Sequence, residues 1–266
     1  MPINRAAGLL PFEPYPSALG GFFMRMTRIS LAIGACLALG PAPVMAEQKA
    51  MTAEARIPAD LHYLLSTPRG YETSGETYPL IVWLHGGDQG GSDIDKVRSS
   101  GLPALIDGGR DIPFIVFSPQ NPSEELLYPI EKVKAVLDEV MARYRVDPSR
   151  VSVVGYSRGA FGAWAMAEQY PETFAAVVPI AGGGNRHYLN RTSENAAFWV
   201  FHGTDDDVIP LSDSVVLYER LKTLKRDARL TVFENTSHQA VEAAALDETG
   251  LWDWLLKQRL ASKPAP

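Results

Sequence analysis

The stretch Val151–Gly159, VSVVG followed by YSRG, constrains the fold more than any other part of the chain. A five-residue apolar run of strand character ends in Gly155. By Gly159 a run rich in small residues has begun, which reads as a helix to Tyr170 and stops before Pro171. A chain that turns from a buried strand into a helix within so few residues brings backbone onto backbone. Glycine at both ends of the pentapeptide Gly155-Tyr156-Ser157-Arg158-Gly159 meets that demand, because a Cβ there would strike the neighbouring strand or helix. Gly162 and Ala163 let the helix stay close to the sheet. Ser157 at the tip points its hydroxyl clear of the strand, beside a helix N-terminus that favours negative charge.

The rest of the chain repeats this strand-then-helix grammar. Tyr78–Leu84, 114–118, 175–180 and 197–202 are continuous apolar runs, as strands buried on both faces require. Between them, 130–145 places Ile130, Val133, Leu137, Val140 and Tyr144 on one helical stripe. Residues 211–225 and 251–260 read as further helices, and 229–233 as a strand. The alternation predicts an α/β fold: a mostly parallel central sheet with helices on both faces. Only residues 181–196, a polar segment, separate two of the strands, which leaves room for a short loop and for no large lid domain.

The N-terminus reads as an address. Arg25 and Arg28 precede an uncharged apolar run from Ile29 to Gly40, too short to span a bilayer as a helix. Val44-Met45-Ala46 fits a signal-peptidase site, so export is expected, to the periplasm or beyond, with cleavage after Ala46. Residues 1–46 are then an N-terminal extension and signal peptide, and 47–266 a single catalytic domain. The alternatives are a lipoprotein anchored through Cys36, in a loose lipobox Ile33-Gly34-Ala35-Cys36, and an uncleaved anchor. Cys36 is the one cysteine of the chain, so an intramolecular disulfide, a CxxC site and a multi-cysteine zinc site are excluded. Cleavage leaves no thiol, which suits an oxidising compartment. A net charge of −6 argues against a nucleic-acid partner, and no stable membrane insertion is expected after cleavage.

A serine hydroxyl becomes a nucleophile only beside a base, itself oriented by an acid. Where Gly-x-Ser-x-Gly follows a strand, the chain order is serine, then acid, then histidine. Downstream of the run 197–202 come Asp205, Asp206 and Asp207, at the strand end where the acid belongs. His238 is the one histidine after His202, which makes it the base of such a triad. His85-Gly86-Gly87 follows the run Tyr78–Leu84, the place of an oxyanion loop. There backbone N–H groups stabilise developing charge, and His85 shapes the loop. The second N–H is that of Arg158, next after the serine. His62 and His187 fall outside this order, and His202 is expected to satisfy backbone groups at the strand end.

Across roughly 57–260 the chain resembles the α/β-hydrolase superfamily. More narrowly it is similar to secreted esterases of the dienelactone-hydrolase and polyhydroxybutyrate-depolymerase-like group, often termed "predicted peptidase". The segments that carry the resemblance are YPLIVWLHG (78–86), SPQ (118–120), YRVDPSRV (144–151), GYSRG (155–159), AGGG (181–184) and HGTDD (202–206). The resemblance implies an α/β-hydrolase fold, Ser157 as nucleophile and His238 as base. It also implies Asp206, the fifth residue of the His-Gly-x-x-Asp pattern, as acid, and Gly87 as the second oxyanion donor. Asp205 and Asp207 stay open as rivals, or as caps of the helix near Leu211. The chain departs from the group at Arg158, where relatives often have Met or Gln, and after His238, where Gln239 stands near the usual place of a Trp. Arg158 puts a cation at the site mouth, to bias substrate choice or to pair with an acid.

The reaction implied is acyl transfer to water through an acyl-enzyme on Ser157, with no cofactor and no metal. A short lid implies an open cleft for short-acyl esters or for ester groups on a larger molecule or polymer. By position, Gln120 and Tyr156 are candidate substrate-binding residues. Two other readings stand beside the serine esterase: a serine peptidase of the prolyl-oligopeptidase type, and a non-catalytic binding protein of the same fold.

Overall fold

The computed structural model describes residues 60–261. The expected leader, its cleavage site and Cys36 lie outside the described residues. Seven strands form one sheet: β1 (Tyr63–Ser66), β2 (Tyr78–Leu84), β3 (Ile115–Pro119), β4 (Val146–Tyr156), β5 (Ala176–Ile180), β6 (Ala197–Gly203) and β7 (Asp227–Phe233). Their order is β1-β3-β2-β4-β5-β6-β7. All pairings are parallel except that of edge strand β1 with β3, so the sheet is mostly parallel, as expected. The helices are α1 (Ile94–Arg98), α2 (Gly101–Asp107), α3 (Ile130–Arg143), α4 (Arg158–Gln169), α5 (Leu211–Thr223), α6 (His238–Leu246) and α7 (Leu251–Lys257).

Alternation along the strands builds two cores. Leu80, Val82 and Leu84 of β2 face one side, packing with Val133 and Leu137 of α3, Trp164 of α4 and Leu221 of α5. Ile81 and Trp83 face the other, packing with Leu102 of α2, Val241 of α6 and Trp254 of α7. Both faces are therefore apolar, which is why the central strands read as unbroken hydrophobic runs. Sequence reasoning missed β1, α1, α2 and α6. These are short, and α6 is alanine-rich with a weak apolar period, so no stripe announces them. The segment 181–196 holds one short 3₁₀ turn, Leu189–Arg191, and no lid domain. Among the described residues no helix is long and apolar enough to cross a membrane.

The parallel order places the ends of β4, β6 and β7 along one edge of the sheet, next to the end of β2. The turn from β4 into α4 is as tight as its glycines imply. A Cβ on Gly155 would lie 2.1 Å from the Gly159 carbonyl oxygen, and one on Gly159 1.9 Å from the Leu84 carbonyl oxygen. Those neighbours are backbone and cannot yield. Gly159→Ala is expected to cost about 3 kcal/mol or more, because the sheet and α4 must separate. A urea unfolding midpoint matching wild type would refute this close packing.

Candidate active site

Ser157 sits between β4 and α4 with φ 53° and ψ −117°. A non-glycine residue there is strained, by about 1–3 kcal/mol. The strain is held by the Ser157 N–H, which donates to the Ile180 carbonyl at 2.8 Å, and by the helix that begins at Arg158. The consequence is a hydroxyl raised above the sheet edge. His238, at the start of α6, meets it: the Ser157 hydroxyl lies 2.8 Å from His238 Nε2. The opposite ring nitrogen, Nδ1, donates to Asp206 Oδ2 at 2.7 Å. Because Nδ1 faces an acceptor-only carboxylate, Nε2 is left to accept the serine proton.

Asp206 is the one member of the three-aspartate run that reaches His238. Its side chain is fully buried, and Oδ1 accepts the Val208 and Ile209 N–H groups at 3.0 and 2.8 Å. Burial alone would raise this carboxyl. The Ile209 and Val208 N–H bonds and the His238 contact outweigh that, so its pKa lies below the ordinary aspartate value and it stays ionised. Asp205 instead accepts the hydroxyl of Thr204. It stands in the turn and makes no contact with His238.

In the candidate oxyanion loop, His85 is buried at 1% exposure. Its Nε2 accepts the Asn121 N–H at 3.0 Å, which leaves Nδ1–H to donate to the Gly86 carbonyl at 2.6 Å. Burial lowers its pKa to about 4, so it is neutral near neutral pH. It braces the loop from beneath, together with the Tyr128 hydroxyl on the His85 carbonyl. Among the described residues neither the Gly87 N–H nor the Arg158 N–H has an acceptor. The Arg158 guanidinium lies over Gly87, with Nη2 3.0 Å from where a Cβ would sit. It donates to the backbone carbonyl of Glu124. Among the described residues no carboxylate pairs with it; the Glu124 carboxylate is bound by Lys96 instead.

The two candidate substrate-binding residues are placed differently from each other. Tyr156 stands against His238: its hydroxyl donates to the His238 carbonyl at 3.0 Å, and the rings are 5.2 Å apart. Gln120 is buried at 1% exposure, and its amide nitrogen donates to the carbonyls of Gln89 and Asp93. Its amide nitrogen thus holds the loop that follows Gly87. Sequence reasoning missed the roles of Asn121, Tyr128 and Ser214 around the site. No motif marks them, because their partners are backbone atoms or residues far along the chain.

Glu242, one turn beyond His238 on α6, was also missed. It is mostly buried, its Oε1 has no hydrogen-bond partner among the described residues, and Ser100 reaches Oε2 only at 3.5 Å. Burial raises its pKa from 4.5 to about 7. For an acid, a raised folded pKa means stability that is present below the unfolded pKa and lost as pH rises through the folded one. Glu242→Gln is therefore expected to be more stable than wild type at pH 8 by about 2 kcal/mol, read as a higher urea midpoint. At pH 4 the two proteins should unfold alike. A Gln variant that is no more stable than wild type at pH 8 would contradict the buried carboxylate.

Residues 120–246 match the dienelactone hydrolase family. The chain is 34% identical over 157 residues to poly(3-hydroxyalkanoate) depolymerase C of Paucimonas lemoignei, covering 53% of this chain and 35% of the depolymerase. Among solved structures, a thermostable esterase superposes with a TM-score of 0.63 at 26% identity, covering 74% of this chain and 59% of the esterase. The acylaminoacyl peptidase of Pyrococcus horikoshii shares the fold, with a TM-score of 0.57 at 16% identity, covering 79% of this chain and 42% of the peptidase. The chain thus spans little more than a third of the length of the curated relatives it matches. With its strand order, its serine turn and these likenesses taken together, the chain has the α/β-hydrolase fold, and its residues 120–246 are similar to the dienelactone hydrolase family.

Proposed function

We propose that the protein is a serine esterase that hydrolyses carboxylic esters through an acyl-enzyme, with Ser157, His238 and Asp206 as its triad. The observation that carries this reading is the continuous contact from Ser157 Oγ to His238 Nε2 and from His238 Nδ1 to Asp206 Oδ2, at 2.8 and 2.7 Å. Ser157 attacks the ester carbonyl while His238 Nε2 takes its proton. Buried, ionised Asp206 holds the imidazole tautomer and stabilises the imidazolium that forms. The N–H groups of Gly87 and Arg158, both without an acceptor among the described residues, receive the oxyanion. His238 then protonates the departing alcohol, and water repeats the sequence on the acyl-enzyme. Each proton and charge is handled by the chain's own groups.

The substrate reading is a short-acyl ester or an ester linked to a polymer. The short 181–196 segment supports it, because no lid domain encloses the acyl chain. The likeness to the Paucimonas relative, a poly(3-hydroxyalkanoate) depolymerase, supports the polymer-linked form. Leu126, Leu127 and Val208, exposed at 68%, 61% and 58%, stand in loops on the site's edge of the sheet and offer apolar contact to such a chain. Export, with residues 47–266 acting as one catalytic domain, belongs to the same proposal, since a polymer cannot enter the cell.

The test is turnover of nitrophenyl esters of graded chain length beside peptide amides, with purified protein. Short esters should be cleaved and peptide amides left intact. Cleavage of the amides but not the esters would replace this reading by the peptidase one. Absence of both, together with no labelling by a fluorophosphonate, would leave a non-catalytic protein.

A further inference from the structure

His202 lies at the end of β6, fully buried, four residues before the acid. Its Nε2 is 2.9 Å from the Ile209 carbonyl oxygen and 3.2 Å from Asp206 Oδ2, the same oxygen that holds His238. Both of those atoms are acceptors only, so Nε2 carries a proton. Nδ1 is 2.7 Å from the Ser214 hydroxyl, whose other acceptor, the Gly182 carbonyl, is farther at 3.3 Å. The Ser214 O–H therefore donates to Nδ1 and fixes the Nε2–H tautomer. Ser214 is itself fully buried on α5. We infer that His202 is a positioning residue of the proposed triad: its Nε2–H clamps the loop that carries Asp206 and aims the carboxylate at His238.

The geometry gives the clamp two routes. Directly, the Nε2–H group, directed at the Ile209 carbonyl, lies 3.2 Å from Asp206 Oδ2, close enough for its positive end to oppose rotation of the carboxylate away from His238. Indirectly, it holds the Ile209 carbonyl, and the N–H of the same residue binds Asp206 Oδ1. Asp206 is thus held at both oxygens with its side chain buried, where such contacts are stronger than in water. A histidine that merely satisfied the strand end would need only the Ile209 carbonyl. It would need neither the Ser214 hydroxyl nor a second imidazole placed against the same carboxylate oxygen.

The inference rests on the esterase reading for its kinetic test, so a second readout is independent of turnover. Two variants of similar side-chain size separate the N–H from the packing: His202→Gln keeps a donor near the Nε2 position, and His202→Leu does not. His202→Leu is expected to lose about 10- to 100-fold in kcat with little change in KM, the scale of a misaligned catalytic group. His202→Gln should recover most of that loss. In the free proteins, the proton resonance of His238 Nδ1–H should stay at low field in wild type and His202→Gln. In His202→Leu it should move upfield or vanish. Nitrogen-15 shifts of wild-type His202 should report the Nε2–H tautomer, a measurement that needs no variant to fold. An Nδ1–H tautomer, equal losses in Gln and Leu, a loss confined to KM, or an unchanged His238 resonance in Leu would each overturn the clamp. If wild type turned over no ester, the esterase reading would fail while the resonance and the tautomer still decided the clamp.

Discussion

Ser157→Ala is expected to lower ester turnover by about 10⁵- to 10⁶-fold while leaving the fold and its unfolding midpoint near wild type. The hydroxyl is the atom to which the acyl group would bond, and no other nucleophile stands within reach of His238 Nε2 among the described contacts. What survives is the contribution of the oxyanion N–H groups and of substrate positioning, which act on an attacking water instead. The strained φ of 53° belongs to the backbone, so alanine keeps the turn and the proposed oxyanion donors. His238→Ala should cost a similar factor, and the double variant little more than either alone, because the two act as a unit. The measurement is nitrophenyl ester hydrolysis beside circular dichroism. A folded Ser157→Ala that retains its turnover would remove the nucleophile assignment.

The second large effect separates three adjacent aspartates. Asp206→Asn is expected to lower kcat by about 10⁴-fold, because the amide presents an N–H to His238 Nδ1 and turns the imidazole into the wrong tautomer. Asp205→Asn and Asp207→Asn should leave kcat near the wild-type value. Asp205 is engaged with the Thr204 hydroxyl, and only Asp206 contacts the imidazole. The reason the middle residue is chosen lies in the turn. Its Oδ1 takes the two N–H groups that follow it, which points Oδ2 inward. A loss confined to Asp205→Asn or Asp207→Asn would show that the loop rearranges on substrate binding and would move the acid.

Much of the architecture was legible beforehand because buried parallel strands leave an unmistakable mark. The runs 78–84 and 197–202 are apolar at every step since both faces are covered, and the structure extends the latter by one residue to Gly203. Strand β4 begins earlier than its apolar run, at Val146, because Val146 pairs with Tyr78 of β2; the polar stretch that follows, in which Ser149 and Arg150 bond to Asp147, lies at a register shift of that pairing. Helix α6 was invisible for the opposite reason: its apolar residues are mostly alanines, and the packing against Trp83 and Leu102 that stabilises it comes from distant segments.

By itself the sequence determined the order of the buried strands and of the longer helices, the sharp turn at Ser157 and the candidates His238 and the 205–207 run. These follow from local chemistry: periodicity, glycine at a steric bottleneck and the position of polar residues at strand ends. It left the aspartates unresolved and treated His202, Tyr156 and Gln120 by position alone. Only the tertiary structure decided that Asp206 Oδ2 lies between two imidazoles, that Tyr156 grips the His238 carbonyl and that Gln120 is buried beneath a loop. Those choices depend on where residues as many as 82 positions apart meet. A contact of that kind is set by the register and twist of the whole sheet, which no local pattern encodes.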